Sequence, residues 1–229
     1  AMISMTYART LAETGEWVWF PGANRVQGFT NPLWTAYMAL LHKFGLEDSS
    51  AAFGISLTGI LLIIGSSLIG AILVRRALSD SPYSFSISIA SATTIPFLYP
   101  LVFWTLRGME VGLLAFLTLL MTLGVTDVTT RLEARQPFIR GLIISAFAAI
   151  LGVLTRLDFA ALASCLIAWC FLWAPDRSSR IRILQVIALP MLFSIGVILF
   201  FQYSYYGDWL PNTYHLKVEG FTIPYRLER

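Results

Sequence analysis

Two short segments, "LRGMEVG" and "LTRLDFAA", set an arginine two or three residues ahead of a carboxylate at the edge of an apolar run. They place Arg107 with Glu110, and Arg156 with Asp158. Ionisable groups at such a boundary are expensive unless they face a cavity or a partner. The planar guanidinium fork grips a phosphate or carboxylate through two parallel hydrogen bonds. Two residues apart on a helix, Arg156 and Asp158 would diverge, which leaves the Arg156 guanidinium available to an anionic ligand. The competing reading makes each segment a local salt bridge that caps a helix end.

Two further segments carry polar side chains among aromatics. In "WFPGANRVQGFTNPLW", Pro21-Gly22 signals a turn, Gly28 relaxes the backbone and Pro32 opens a helix. Asn24, Gln27 and Asn31 are suited to sugar hydroxyls, while Trp17, Trp19 and Phe20 suit a sugar ring or a headgroup layer. "YYGDWLPNTYHLK" adds Tyr206, Asp208, Trp209, Asn212, Tyr214, His215 and Lys217 after a strongly apolar run. Its plainer alternative is a Pro-terminated helix end with interfacial aromatics.

The elements that must position these residues follow from composition. Of 229 residues, 57% are hydrophobic and 13% charged, against about 25% charged in soluble domains. The expected fold class is all-α, a polytopic bundle of transmembrane helices with an amphipathic helical loop on its outer face. The net charge of +3 then sets topology rather than marking a nucleic-acid partner. Six charge-free runs approach the roughly 20 residues of a membrane crossing: 52–74, 85–104, 111–126, 141–155, 159–174 and 183–202. Pro96, Pro100 and Pro190 fall inside them and predict kinks. Cys165 and Cys170 point to different faces of a helix and read as small packing residues. Neither histidine is placed for a metal cluster, so no cofactor is expected and nothing in the sequence supports a divalent metal.

The connections alternate in charge. "RRALSD", "RLEARQPFIR" and "DRSSRIR" are arginine-rich, whereas "LRGME" and "TRLDF" hold one arginine each. The positive-inside rule puts the first set in the cytoplasm. Arg9, Glu13, Asn24, Arg25, Gln27, Asn31, Arg107, Glu110, Arg156, Asp158, Asp208, Asn212, His215 and Lys217 then share the outer side. The stretch 32–44 has helical period and is read as an interfacial or re-entrant helix, with Trp34, Tyr37, His42 and Lys43 at headgroup level. The stretch before it puts Ile3, Tyr7 and Leu11 on one face, pairs Arg9 with Glu13 and ends at Gly15. The expected division is an outer-face loop with interfacial helices over 1–51, six crossings over 52–204 and a second outer loop over 205–229. An outer N-terminal segment without a signal peptide implies a membrane helix ahead of Ala1.

In combination, "ISMTYARTLAETGEWVWFPGANRVQGFTNPLW", "LRGMEVGLLAFL", "LTRLDFAALA" and "YYGDWLPNTYHLK" resemble, in order and over most of the chain, the GT-C class of glycosyltransferases. The resemblance is to the bacterial branch with mycobacterial terminal arabinofuranosyltransferases and mannosyltransferase-like proteins. It implies a multi-pass enzyme of the bacterial cytoplasmic membrane. Such an enzyme moves an arabinofuranose- or mannose-like sugar, with inversion, from a polyprenyl phosphate to a glycan or protein acceptor outside the cell. It further implies a catalytic acidic pair just ahead of Ala1 and more helices after Arg229, so that this chain is an N-terminal part. Leu157-Asp158 stands where many relatives read Pro-Glu, which keeps the carboxylate and changes the turn. On this resemblance Arg107, Arg156 and Lys217 meet the phosphate. Glu110 and Asp158 orient those cations or touch the sugar, and are the in-chain substitutes for the base. Arg9, Asn24, Gln27 and Asn31 complete the substrate site, and Tyr206, Asp208 and Asn212 shape its acceptor side. A non-catalytic subunit of a membrane complex and a transporter are the alternatives; the charge-free spans speak against the transporter.

Overall fold

The computed structural model describes residues 2–46, 48–209 and 211–212. It is 78% helical, with no strand among the described residues. The helices are α1 (Met2–Thr14), α2 (Pro32–Lys43), α3 (Asp48–Ala77), α4 (Ser84–Thr94), α5 (Tyr99–Leu106), α6 (Val111–Glu133), α7 (Ile139–Thr155), α8 (Phe159–Trp173), α9 (Arg177–Ile183) and α10 (Leu189–Tyr206). They fall into two compact units: 1–47 with 196–229, and 48–195.

The unit 48–195 is a bundle of apolar helices. Three helical stretches are long and apolar enough to cross a membrane: Ser49–Ala77, Val111–Glu133 and Arg177–Tyr206. α4 and α5 reach that length and apolarity only as a pair, joined through a 51° bend where Pro96 lies in a 3-10 turn and Pro100 opens α5. Proline lacks the donor and its ring displaces the preceding turn, so the span breaks there. Six crossings were expected from the sequence, and two of those six runs form the shorter apolar helices α7 and α8. At 17 and 15 residues they rise about 25 and 22 Å at ~1.5 Å per residue, less than a hydrocarbon core of ~30 Å. Prolines set these lengths. Pro137 precedes α7, and Ala174, extended ahead of Pro175, ends α8. The Pro190 kink takes another form, a π-helical turn at Leu184–Ala188 immediately before it. Widening the helix relieves the clash of the ring with the carbonyl four residues back.

On α3 the exposed residues Phe53, Leu57, Leu61, Ile64, Leu68 and Ile72 recur at helical spacing. Ala51, Ile55, Ile63 and Ile69 are buried on the other side. A helix apolar on both faces belongs in lipid. Several hydroxyls in the spans bond to carbonyls of their own helix, as Ser66 to Leu62, Thr118 to Leu114 and Ser194 to Pro190, which satisfies them without water. α6 and α7 cross closely: a Cβ at Gly141 would lie 2.7 Å from the Gly124 carbonyl oxygen and 2.8 Å from Val128 Cγ2. Small residues permit such backbone approach in membranes.

One end of this bundle collects Asp127, bonded to Arg131 (3.0 Å) and 3.9 Å from Arg76. The Trp173 indole donates to Glu133 there (3.0 Å). These residues come from the arginine-rich connections and their flanks. The single-arginine connections occupy the opposite helix ends.

In the other unit, α1 packs on α2. Tyr7, Ala8, Ser4 and Thr10 form the buried face of α1, whereas Ile3 is 52% exposed; the expected stripe of Ile3, Tyr7 and Leu11 is thus rotated toward the smaller residues. Arg9 Nε bonds Glu13 Oε1 at 2.8 Å, and Gly15 ends the helix at φ +77°. α2 begins at Pro32 and ends in a bonded turn in which Leu46 N donates to Leu41 O. Trp34, expected at headgroup level, is instead 3% exposed, with its ring 5.0 Å from that of Tyr37.

Candidate functional site

The α5–α6 turn is built to present charge. α5 closes with Gly108 N bonded to Thr105 O (2.9 Å) and Met109 N to Trp104 O (3.1 Å), around Gly108 at φ +78°. That left-handed residue suits glycine, and it reverses the chain within three residues so that Glu110 stands immediately ahead of α6. Arg107 is exposed, its guanidinium 4.7 Å from the Phe103 ring centroid. Among the described residues Arg107 makes no ion pair. Tyr99, Val102, Phe103, Leu106 and Arg107 line an open surface depression of about 420 Å3.

The α7–α8 turn meets the start of α6. α7 ends at Arg156, whose backbone is extended (φ −153°, ψ 131°), and Asp158 stands immediately ahead of α8 without a capping bond from its side chain. A Cβ at Gly152 would collide with the Phe159 ring, so glycine allows the tight return. Arg156 Nε donates to Asp158 Oδ1 (3.0 Å) and Nη2 to Oδ2 (2.7 Å), while Nη1 donates to Glu110 Oε1 (3.1 Å). Glu110 is 3% exposed. The Asp158 hydrogen bond raises the Arg156 pKa above its ordinary value and Glu110 adds to this against burial, so the group is a permanent cation.

This arrangement overturns the expectation that Arg156 and Asp158 diverge. Helical spacing does not apply, because the helix ends at Arg156 and the extended backbone brings the two side chains together. The guanidinium is a bridge between two carboxylates. Three of its five N–H groups are committed to these carboxylates.

The remaining candidates lie in the other unit. Arg9 is paired with Glu13. Asn24 is exposed. Asn31 Oδ1 accepts from Ser4 Oγ (2.9 Å) and Thr35 Oγ1 (3.1 Å), a packing role between α1 and α2. Gln27 is buried, and its backbone carbonyl accepts from Asn212 N at 3.2 Å. The loop carrying them is pinned by Tyr7, whose hydroxyl donates to Val26 O (2.6 Å) and accepts from Gly28 N (3.1 Å). A Cβ at Gly28 would stand 3.0 Å from that hydroxyl. Trp17 stacks on Phe29 (5.4 Å), whereas Trp19 and Phe20 remain exposed. Tyr206 donates to Trp17 O (2.9 Å), Tyr205 accepts from Trp17 N (2.9 Å), and Arg25 lies 4.6 Å from the Tyr205 ring centroid. Asp208 is exposed. Tyr214, His215 and Lys217 lie outside the described residues.

Sequence reasoning missed Gln202, which is 2% exposed near the end of α10. A lone amide in "VILFFQYSYY" was the available signal. Among the described residues no group of His, Cys, Asp and Glu is arranged to hold a metal ion. Comparison with protein-family models, curated proteins and solved structures gives no match.

Proposed function

We propose that this chain belongs to a multi-pass membrane glycosyltransferase of the GT-C type, which transfers a sugar from a polyprenyl phosphate to an extracytoplasmic glycan or protein acceptor. The observation that carries the reading is the charge cluster at one end of the apolar bundle. Glu110 and Asp158 fix the Arg156 guanidinium, and the exposed Arg107 stands three residues ahead of Glu110 in the same turn. The four ordered segments that resemble the class add to it.

In the reaction, an acceptor oxygen attacks the anomeric carbon as the bond to the phosphate breaks, inverting that carbon. The phosphate leaves with growing negative charge, which preorganised cations stabilise. Arg107 supplies an exposed cation and Arg156 the two N–H groups left over from its carboxylate bonds. A carboxylate accepts the acceptor proton. The resemblance assigns this to an acidic pair ahead of Ala1, with Asp158 or Glu110 as substitute within the chain. The sugar is arabinofuranose- or mannose-like, and the site faces outward from the bacterial cytoplasmic membrane.

The test is transfer of radiolabelled sugar from a polyprenyl phosphate by membranes holding the full-length protein. Arg107→Ala should lower turnover on the order of ten- to a hundredfold, the value of one charge-assisted contact. Its thermal unfolding should stay at the wild-type value. Normal turnover would remove the phosphate role of this residue. The engagement of Arg156 by both carboxylates favours a second reading, a non-catalytic subunit in which the cluster only clasps three helices. Polyprenyl phosphate binding without transfer in the full-length protein would select it.

A further inference from the structure

Residues of α10, of the loop between α1 and α2 and of the start of α2 line a second, half-open pocket inside the unit formed by 1–47 and 196–229. Its volume is about 180 Å3, and Trp17, Gln27, Pro32, Ile198, Phe201 and Gln202 are among its lining residues. Its wall is almost wholly apolar except for two amides. Gln27 is 9% exposed and Gln202 2%, and each leaves a buried atom with no hydrogen-bond partner, Oε1 of Gln27 and Nε2 of Gln202.

An orphaned buried amide atom costs about 1–3 kcal/mol, and two on one small cavity call for a common cause. An empty apolar cavity of about 150 Å3 takes up benzene, and a water needs two to four polar partners to stay. This cavity has room for an apolar body of that size and offers polar partners only at its two amides. Oε1 requires a donor and Nε2 an acceptor. One hydroxyl supplies both, its proton to Gln27 Oε1 and an oxygen lone pair to Gln202 Nε2. A phosphate or carboxylate gives only acceptors and leaves Oε1 unsatisfied.

We propose that the cavity is a binding site for an aliphatic alcohol, its hydroxyl between Gln27 and Gln202 and its hydrocarbon against Trp17, Ile198 and Phe201. The site is separate from the Arg156 cluster and does not rest on glycosyl transfer. The apolar face of α10 presents the alkyl contacts, and Gln202, one turn beyond Ile198, presents the polar one.

The probe is a six-carbon primary alcohol bearing a diazirine, applied to the full chain in nanodiscs, with adducts mapped by mass spectrometry. It should label Trp17, Ile198 or Phe201 saturably, while the same diazirine without its hydroxyl should label them without saturation. Gln202→Leu and Gln27→Leu should each weaken saturable labelling roughly three- to tenfold, the value of one hydrogen bond. Without probe, Gln202→Leu should unfold at or above the wild-type temperature, because an unpartnered amide is removed. Competition by a monoacylglycerol assigns the alcohol to a membrane lipid, and competition by hexanol alone assigns it to a soluble alcohol. Equal labelling by both probes would overturn the proposal, and so would a Gln202→Leu variant that unfolds early. Failure of competition by either alcohol would also overturn it and leave trapped water as the occupant.

Discussion

Arg156 is held by carboxylates of opposite character, Asp158 with a side chain 65% exposed and Glu110 with one 4% exposed. Their contributions differ accordingly. The exposed pair gains little, about 1 kcal/mol at most, though its two-bond geometry fixes the fork. The Glu110 pair is the one whose loss is felt, because Glu110 is buried and gives up a charge-assisted bond where water cannot replace it. That loss runs to about 3–5 kcal/mol, and since Arg156 is itself a third exposed, Arg156→Ala should fall at the lower end. Thermal unfolding in detergent should show this drop, with Arg156→Lys intermediate because a point charge replaces the fork. Adding Glu110→Gln to Arg156→Ala should recover part of it. Wild-type unfolding of Arg156→Ala would mean that Glu110 does not depend on this pair. The sequence made the charges legible and misplaced the bond, because residue spacing says nothing about a helix that stops at its arginine.

At the scale of elements, the α7–α8 turn depends on Gly152. Phe159 fills the space that a side chain there would need, and it is 6% exposed. Gly152→Ala should therefore destabilise by about 1–3 kcal/mol through overpacking. Gly152→Ala with Phe159→Ala should unfold no earlier than Phe159→Ala alone. If Gly152→Ala unfolds at the wild-type temperature, the turn has room that its geometry denies. Helix existence was legible for all these segments, since charge-free runs of 15 or more residues between arginine-rich or proline-bearing connections leave little choice. The bend at Leu98 followed from Pro96 and Pro100. What the sequence concealed is which glycines serve contact rather than turning, because Gly124, Gly141 and Gly152 look like any small residues in an apolar run. Gln27 and Gln202 were equally silent as a pair, being 175 residues apart and brought together only by the fold.

For the molecule as a whole, the decisive matter is whether the short helices α7 and α8 cross. The Arg156–Glu110 bond sets the α7–α8 turn level with the start of α6. The other end of α6 continues to Glu133, which Trp173 at the end of α8 also reaches. Helices of 17 and 15 residues thus connect the same two ends as the 23 residues of α6, and a locally thinned bilayer accommodates the difference at modest cost. With the arginine-rich end inside, single cysteines in a background with Cys165 and Cys170 replaced should alternate in labelling by an impermeant maleimide. Asn24→Cys and Leu157→Cys should react on intact cells, and Gln136→Cys and Ser178→Cys only after permeabilisation. The fully reversed pattern would place the Arg156 cluster in the cytoplasm and end the extracytoplasmic reading. Leu157→Cys reacting on the same side as Gln136→Cys would make α7 and α8 a re-entrant pair, and the Glu110 contact could not then hold in the membrane.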